Sequence, residues 1–224
     1  MKRLVFDALN SSFEVETFLI TEEANSKYFE SAAKMQALSR SSFFISNDIA
    51  QKLSETKNSQ GVFAVCKMKE KSINLQSGKK YIALDNLQDP GNLGTVIRTS
   101  EALGIDGVIV GGGCDVYNPK VLRASMGSVL RADVYESDNL AKTINEAKAL
   151  GIKTYATSPD FNAKKITQVD FSSPSLCVIG NEANGVSDEV FAVCDEKITI
   201  PMLGRAESLN ANVAAAITMW EMLR

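Results

Sequence analysis

The sequence predicts an α/β protein in which a mostly parallel sheet carries helices on both faces. From residue 80 onward, short apolar runs alternate with longer segments whose apolar side chains recur at helical spacing. Polar turns rich in Gly, Asn and Ser join many of these segments. Such alternation is typical of parallel sheets, because each parallel strand needs a long connection back to the same edge.

Residues 1–71 are predicted to form a separate small α/β domain, followed by a charged linker over 72–80. Asn47 or Asp48 is expected to cap the third helix of this domain. The first helix begins almost at Met1 with no strand before it, so an element is expected to be missing from the domain's start. The predicted elements are helices over 2–10, 29–39 and 48–55 and strands over 14–20, 43–46 and 61–68.

Residues 81–224 are predicted to form the larger domain. Gly104 is expected to end its first helix, and Asn118 with Pro119 to begin its second. The predicted strands are 81–87, 107–110 with a tight turn over 111–113, 132–137, 153–158, 175–180 and 197–202. The predicted helices are 93–104, 118–130, 139–151 and one from about 212. The segment 88–92 is predicted to be a turn.

The composition is that of a soluble globular protein, with 45% hydrophobic and 23% charged residues among 224. The apolar runs are too short to span a membrane, and no signal-type segment follows Met1. A cytoplasmic protein without membrane contact is therefore expected. The net charge of −3 argues mildly against a generic polyanion binder, so any basic surface has to be local.

The chain contains no histidine, and this absence narrows the possible chemistry. It excludes Ser-His and Cys-His nucleophile pairs as well as histidine metal sites. The four cysteines show no C-x-x-C pairing, so they are expected to be buried thiols rather than zinc ligands or disulfides. No metal site is predicted. Neither a G-x-G-x-x-G turn after a strand nor a P-loop is present, which argues against the common nucleotide-binding motifs.

Two polar segments near the end of the chain predict a ligand pocket. Residues 179–190 and 198–223 each lead from an apolar strand through Gly, Asn, Ser and Glu into a helix. Ser208, Asn210 and Asn212 alternate where the last helix begins. Ordinary helix capping explains any one of these residues, whereas a ligand site explains both segments together.

Three motifs carry a resemblance to a known family. The segments DNLQDPGNLGTVIRTSEALGIDGVIV (85–110), VIGNEANGVSDEV (178–190) and IPMLGRAESLNANVAAAI (200–217) resemble the SpoU/TrmH family of RNA 2′-O-ribose methyltransferases within the SPOUT superfamily. Residues 123–131 are similar to the same family. Residues 1–70 resemble, more weakly, the ribosomal-protein-like RNA-binding domain that many members carry in front.

The resemblance implies a C-terminal trefoil knot, an S-adenosylmethionine cofactor and a homodimer. The positions that match the family's catalytic residues are Asn92, Arg98, Glu182, Ser208 and Asn210. Those expected to hold the cofactor are Thr157, Gly180, Ile200, Met202 and Leu209. Local basic residues proposed to contact RNA are Lys120, Arg123, Arg131 and Arg205.

Two of these roles have competing explanations. The resemblance implies that Arg98 activates the ribose hydroxyl with help from a substrate phosphate. Because a guanidinium stays protonated at any working pH, the alternative is that Arg98 stabilises the developing alkoxide while a phosphate or water takes the proton. Glu182 either takes part in catalysis or has a structural role, in which it orders its own loop or pairs with Arg98. Asn184 and Asn212 depart from the family pattern, the latter replacing the last residue of S-L-N-V-S, and we expect the pocket still to bind the cofactor.

The predicted function is 2′-O-methylation of structured RNA, with ribosomal RNA favoured because of the leading domain and transfer RNA second. A catalytically silent RNA-binding or assembly protein on the same fold is the alternative. A more distant alternative is an unrelated α/β nucleotide-binding enzyme. The complete set of family site residues favours the enzyme, and the sequence does not identify the methylated nucleotide.

Overall fold

The alternating apolar runs form two sheets, one in each of two units, Met1–Glu70 and Lys71–Arg224. The structure is a computed structural model that describes residues 2–54, 58–68 and 72–224. The domain boundary expected after residue 71 falls beside residues 69–71, which lie outside the described residues.

The smaller unit has a three-stranded sheet in the order β2-β1-β3, with β2 parallel and β3 antiparallel to β1. Its elements are α1 (Lys2–Asp7), β1 (Val15–Ile20), α2 (Glu22–Lys27), α3 (Phe29–Leu38), β2 (Ser41–Phe44), α4 (Asn47–Leu53) and β3 (Val62–Cys66). The sequence analysis did not predict α2, which Thr21 caps by accepting from the Ala24 N–H. The expected cap of α4 was wrong, because the Ser46 hydroxyl accepts from the Ile49 N–H at 3.3 Å instead.

The larger unit has a seven-stranded parallel sheet in the order β6-β5-β4-β9-β7-β10-β8. Its elements are β4 (Lys80–Asp85), α5 (Pro90–Leu103), β5 (Gly107–Gly111), α6 (Pro119–Ala124), β6 (Val134–Glu136), α7 (Leu140–Ala149), β7 (Lys153–Thr157), β8 (Lys164–Lys165), β9 (Ser175–Ile179), α8 (Asp188–Val193), β10 (Glu196–Thr199) and α9 (Ala211–Leu223). Strand β9 lies between β4 and β7, so segments far apart in the chain become neighbours.

Both faces of the larger sheet are covered by helices, which confirms the predicted architecture. Successive strand residues point to opposite faces. In β4, Ile82 and Leu84 join the core cluster that α5, α6 and α9 complete. Tyr81 and Ala83 join a second cluster with α7 and α8. Fully burying a large apolar side chain stabilises the fold by about 1.5–3 kcal/mol. The two core clusters therefore hold in place the sheet that carries the site.

Two predicted helices differ from the structure in ways that matter for the site. Helix α5 begins at Pro90 rather than at 93, because Asp89 caps it by accepting from the Asn92 N–H at 2.8 Å. The helix predicted over 118–130 breaks after α6, because Met126 and Gly127 take left-handed backbone angles with φ of 51° and 90°. A short 3-10 turn, Ser128–Leu130, follows the break.

The four cysteines, Cys66, Cys114, Cys177 and Cys194, are free thiols. Only Cys177 is fully buried, so the expectation of buried thiols holds for that residue and not for the other three. Burial raises the pKa of the Cys177 thiol far above its usual range. A thiol held in its neutral form is a poor nucleophile, so Cys177 is a packing residue.

Candidate functional site

Three polar turns meet at the carboxyl ends of the central strands of the larger sheet. The turn over 86–89 follows β4, the turn over 180–187 follows β9, and the segment 200–210 follows β10. Strands β4 and β9 are direct neighbours, which brings the first two turns together although about ninety residues separate them. In open parallel sheets the ligand binds beyond these carboxyl ends.

Glu182 joins the turn after β9 to the turn after β4. Its Oε2 accepts from the Gln88 N–H at 3.1 Å, and its Oε1 accepts from the Asp89 N–H at 3.2 Å. The Asn92 amide donates to the same Oε1 at 2.8 Å. Partial burial by itself would raise the pKa of Glu182, but these hydrogen bonds outweigh it and hold the pKa below its usual range. The carboxylate therefore stays ionised and is a weak proton acceptor.

Asn92 links Glu182 to the last helix by a second hydrogen bond. Its side chain is buried in the first turn of α5, and its Oδ1 accepts from the Asn212 amide at 2.9 Å. Asn210 caps α9 by accepting from the Asn212 N–H at 2.9 Å. A continuous set of hydrogen bonds thus joins α9, α5 and the turn after β9.

A cavity of about 300 Å³ lies against these turns. All five residues predicted to hold a cofactor line it, namely Thr157, Gly180, Ile200, Met202 and Leu209. The Thr157 hydroxyl donates to the Val178 carbonyl at 2.8 Å, so this side chain is already committed within the fold. Glu182 and Ser208 also face the cavity, and the sequence analysis missed Phe191, an apolar residue of α8 whose helix opens directly from the polar turn.

The lining of the cavity fits S-adenosylmethionine. Its volume is at the lower end of the roughly 300–1,000 Å³ of small-molecule sites. Its apolar walls suit an adenine ring. Among the described residues that line it, Glu182 is the one charged side chain, and its negative charge suits a sulfonium cation.

Arg98 lies outside this set of hydrogen bonds. It follows Asn92 by six residues in α5, which turns it about 240° around the helix axis from Asn92. Its side chain is exposed, and within the described ranges it has no hydrogen bond or ion pair. Within the described residues, no hydrogen bond or ion pair therefore links Arg98 to Asn92 or Glu182.

The four candidate RNA contacts occupy two regions. Lys120 and Arg123 are exposed one turn apart on α6, and Arg205 is exposed in the segment before α9. Arg131 donates to Glu101 at 2.9 Å and lowers the pKa of that carboxyl, so its charge is partly neutralised. The exposed Lys120 and Arg205 are therefore the better candidates for phosphate contacts, and Arg123 stays a candidate by its exposure.

Within residues 2–54, 58–68 and 72–224, no group of three or more His, Cys, Asp or Glu side chains could hold a metal ion. In the same described ranges, no helix has both the length and the apolar character to cross a membrane.

Comparisons with known proteins agree with the site geometry. Residues 79–220 match the SpoU rRNA Methylase family, and residues 2–72 match the RNA 2′-O ribose methyltransferase substrate binding domain. The chain is 37% identical over 181 residues to the 23S rRNA (guanosine(2553)-2′-O)-methyltransferase RlmP of Bacillus subtilis strain 168, covering 80% of this chain and 71% of that protein.

Two crystal structures show the same fold. The SpoU methyltransferase AviRb from Streptomyces viridochromogenes, in complex with AdoMet, superposes with a TM-score of 0.86 at 28% identity, covering 99% of this chain and 86% of that one. An AdoMet-bound rRNA methyltransferase from Sinorhizobium meliloti superposes with a TM-score of 0.85 at 30% identity, covering 98% and 84%.

Proposed function

Because this chain belongs to the SpoU family of rRNA methylases, we propose that it methylates a ribose 2′-hydroxyl of 23S ribosomal RNA. The chain is an S-adenosylmethionine-dependent RNA 2′-O-methyltransferase. One observation supports the position of its active site above all. The hydrogen-bonded residues Glu182, Asn92 and Asn212 join three polar turns beside a cavity that fits the methyl donor.

S-adenosylmethionine supplies a methyl group that is already activated on its sulfonium. In our proposal Ile200, Met202 and Leu209 pack against the adenine ring, while the main chain at Gly180 provides polar contacts. The ionised Glu182 offsets the positive charge of the donor and keeps the turn after β4 in place. These residues bind and orient the donor and exclude water from it.

The acceptor ribose is proposed to enter beside Ser208, which lines the cavity, and Asn210, two residues further along the chain; both side chains are exposed. The Asn210 carbonyl oxygen is used to cap α9, which leaves its amide hydrogens to donate to the RNA. Arg98 stabilises negative charge on the 2′-oxygen, and a substrate phosphate or water takes the proton. A guanidinium does not lose its own proton at working pH.

We further propose a homodimer in which Arg98 serves the partner's cavity. Val213 and Trp220 lie two turns apart on the outer face of α9 and are 43% and 61% exposed. An apolar stripe of this kind on a helix that also packs against α5 is suited to an isologous contact. Such a contact brings α5 of one subunit, and with it the unpaired Arg98, toward the other subunit's polar turns.

The choice of 23S ribosomal RNA rests on the smaller unit and on the similarity to RlmP. The smaller unit supplies the substrate-binding part, and the exposed Lys120, Arg123 and Arg205 contact phosphates, which position an RNA without reading its sequence. Ribosomal RNA is transcribed and assembled in the bacterial cytoplasm, where we place the enzyme. The trefoil knot stays a prediction from the family fold.

Transfer of a tritiated methyl group to RNA from a strain that lacks the protein tests this function. We expect incorporation into 23S ribosomal RNA at one ribose, located by mapping 2′-O-methyl positions in the deleted and complemented strains. Ser208→Ala serves as the site control and should retain RNA binding while losing most incorporation. Incorporation into transfer RNA alone would show that the substrate is transfer RNA and not 23S ribosomal RNA. RNA binding without incorporation into any RNA would select the silent assembly protein.

A further inference from the structure

Asn212 occupies a position at which the sequence departs from the family motif. It is the second residue of α9, and its side chain is half-buried at the boundary between α9 and α5. Its amide nitrogen donates to Asn92 Oδ1 at 2.9 Å across 120 residues of sequence. This departure from the family motif therefore contacts a candidate catalytic residue directly.

The Glu182 carboxylate determines which end of the Asn92 amide donates and which end accepts. An ionised carboxylate only accepts hydrogen bonds, so Asn92 must turn its amide nitrogen toward Glu182 Oε1, where it donates at 2.8 Å. The Asn92 carbonyl then faces Asn212 and needs a donor there. Asparagine provides one at the required reach. A serine hydroxyl can also donate, but its side chain is one bond shorter.

We propose that Asn212 is a positioning residue for methyl transfer, holding the Asn92 amide in the single orientation that lets Asn92 donate to Glu182. This inference rests on the proposed function. A side-chain amide can rotate by half a turn at little steric cost, which exchanges its donor and acceptor ends. In the exchanged state the Asn92 carbonyl would face the Glu182 carboxylate, and the link between α5 and the turn after β9 would be lost.

Asn212→Asp is the sharpest test because it keeps the shape and reverses the hydrogen-bonding character. The new carboxylate accepts only, so it repels the Asn92 carbonyl in its present orientation. The same carboxylate sits in the first turn of α9, where negative charge favours the helix. A loss of activity therefore cannot come from weakening the helix start.

We expect Asn212→Asp to lower kcat by about 10- to 100-fold, the effect of one or two lost hydrogen bonds. The dissociation constant for S-adenosylmethionine should change less than about threefold. The substitution alters the hydrogen bond between Asn212 and Asn92 but leaves the main-chain contacts of the cavity in place. Asn139→Asp is the matched control. Asn139 caps α7, where aspartate is an equally good cap, and we expect kcat to be unchanged.

A double-mutant cycle separates positioning from a general structural effect. If Asn212 acts through Asn92, Asn212→Asp should have less than about a threefold further effect on kcat in an Asn92→Ala background. An equal loss of kcat in both backgrounds would overturn the proposal, and so would an unchanged kcat for Asn212→Asp in the wild-type background. Asn212→Ser should recover part of the rate.

A spectroscopic measurement makes the test independent of activity. In the full chain with ¹⁵N-labelled asparagine, the Asn92 side-chain amide signal, identified by its absence in Asn92→Ala, should exchange slowly with solvent. We expect Asn212→Asp to shift this signal and speed its exchange, and Asn139→Asp to leave it unchanged. A signal that does not respond to Asn212→Asp overturns the inference. A response in a protein that methylates no RNA would instead refute the proposed function and leave the coupling intact.

Discussion

Glu182 illustrates how a single side chain at this site is committed to holding two turns together. Both of its oxygens accept hydrogen bonds, from two main-chain N–H groups and from the Asn92 amide. A base that activates a hydroxyl needs a free lone pair and a pKa near the working pH. Glu182 does not meet the second requirement, because its hydrogen bonds hold its pKa below its usual range, so the geometry favours its structural role in the arrangement of the active site over proton transfer.

The pH dependence of methyl transfer tests this role of Glu182. Its pKa is lowered by folding, so its stabilising contribution is fully present above the unfolded value of about 4.3 and is lost as the pH falls through the lower folded value. We therefore expect kcat to show no inflection from Glu182 between about pH 5 and pH 8.

The control for that profile is Glu182→Gln. It removes one acceptor oxygen and should lower kcat by about tenfold or more at every pH in this range, with the profile otherwise unaltered. An acidic limb that is present in the wild-type profile and disappears in Glu182→Gln would show instead that this carboxylate titrates during the reaction.

At the residue scale, the sequence identifies which residues surround the cavity but not how they bond. The motifs select Glu182, Asn92 and the five cavity residues correctly as neighbours of one site. They do not indicate that Asn212 contacts Asn92, since that contact depends on how two helices pack. Nor do they indicate that Arg98 is exposed and takes no part in these hydrogen bonds, whereas Asn92, in the first turn of α5, is buried.

At the scale of helices and strands, the strongest sequence signals are the apolar periodicities and the caps. Gly104 ends α5 in a left-handed conformation with φ of 79°, and Asn118 caps α6, both as expected. The structure adds Asn139 as the cap of α7. The break after α6 was not predictable from its apolar pattern, because it depends on the backbone of Met126. Strand β8, with two residues, is too short to produce a pattern.

Gly94 shows how closely α5 and α6 approach each other. A Cβ placed on Gly94 would lie 2.6 Å from the Ala124 Cβ and 2.7 Å from the Val121 carbonyl oxygen. We expect Gly94→Ala to force the helices apart and to destabilise the larger unit by about 1–3 kcal/mol. Thermal unfolding should then begin about 2–12 °C lower.

Gly204→Ala is the matched control for Gly94→Ala. A Cβ at Gly204 meets nothing within 4 Å, and the residue is not held at a positive φ. Its unfolding temperature should therefore equal that of the wild type. Equal unfolding temperatures for Gly94→Ala and the wild type would show that α5 and α6 can separate at no cost.

At the scale of the whole molecule, the active site depends on both the order of the strands and the proposed dimer. The parallel order places β9 between β4 and β7, which the sequence did not specify beyond the sheet being parallel. Alternation of strands and helices fixes the class of a fold, whereas many strand orders satisfy the same alternation. The exposed stripe on α9 was likewise not distinguishable from buried apolar positions in the sequence.

Trp220→Lys tests the proposed dimer. We expect wild-type protein to have twice the 24.3 kDa mass of one chain in light scattering, and Trp220→Lys to have the mass of one chain. Burying a lysine charge in an apolar contact is strongly unfavourable. Leu150→Lys, which changes an exposed apolar residue at the end of α7, is the control and should stay dimeric. A monomeric wild type would refute the dimer directly.

Mixing two inactive variants tests where Arg98 acts. If Arg98 serves the partner's cavity, heterodimers of Arg98→Ala with Ser208→Ala contain one intact site, and random exchange of subunits should restore about a quarter of the wild-type rate. If Arg98 serves its own cavity, every site in the mixture lacks one residue. No recovery in a mixture shown to exchange subunits would therefore exclude the shared site.

The distance along the chain between the bonded residues has a consequence for protein synthesis. A nascent polypeptide that has emerged as far as residue 205 already contains every described strand of the larger sheet. It still lacks Asn212 and the four α9 side chains, Ala211, Ala215, Met219 and Met222, that close one core layer. A premature stop codon soon after residue 205 therefore yields a chain whose core lacks α9 and stays open. Quality-control proteases can degrade such a chain, so it does not persist as a weakly active enzyme.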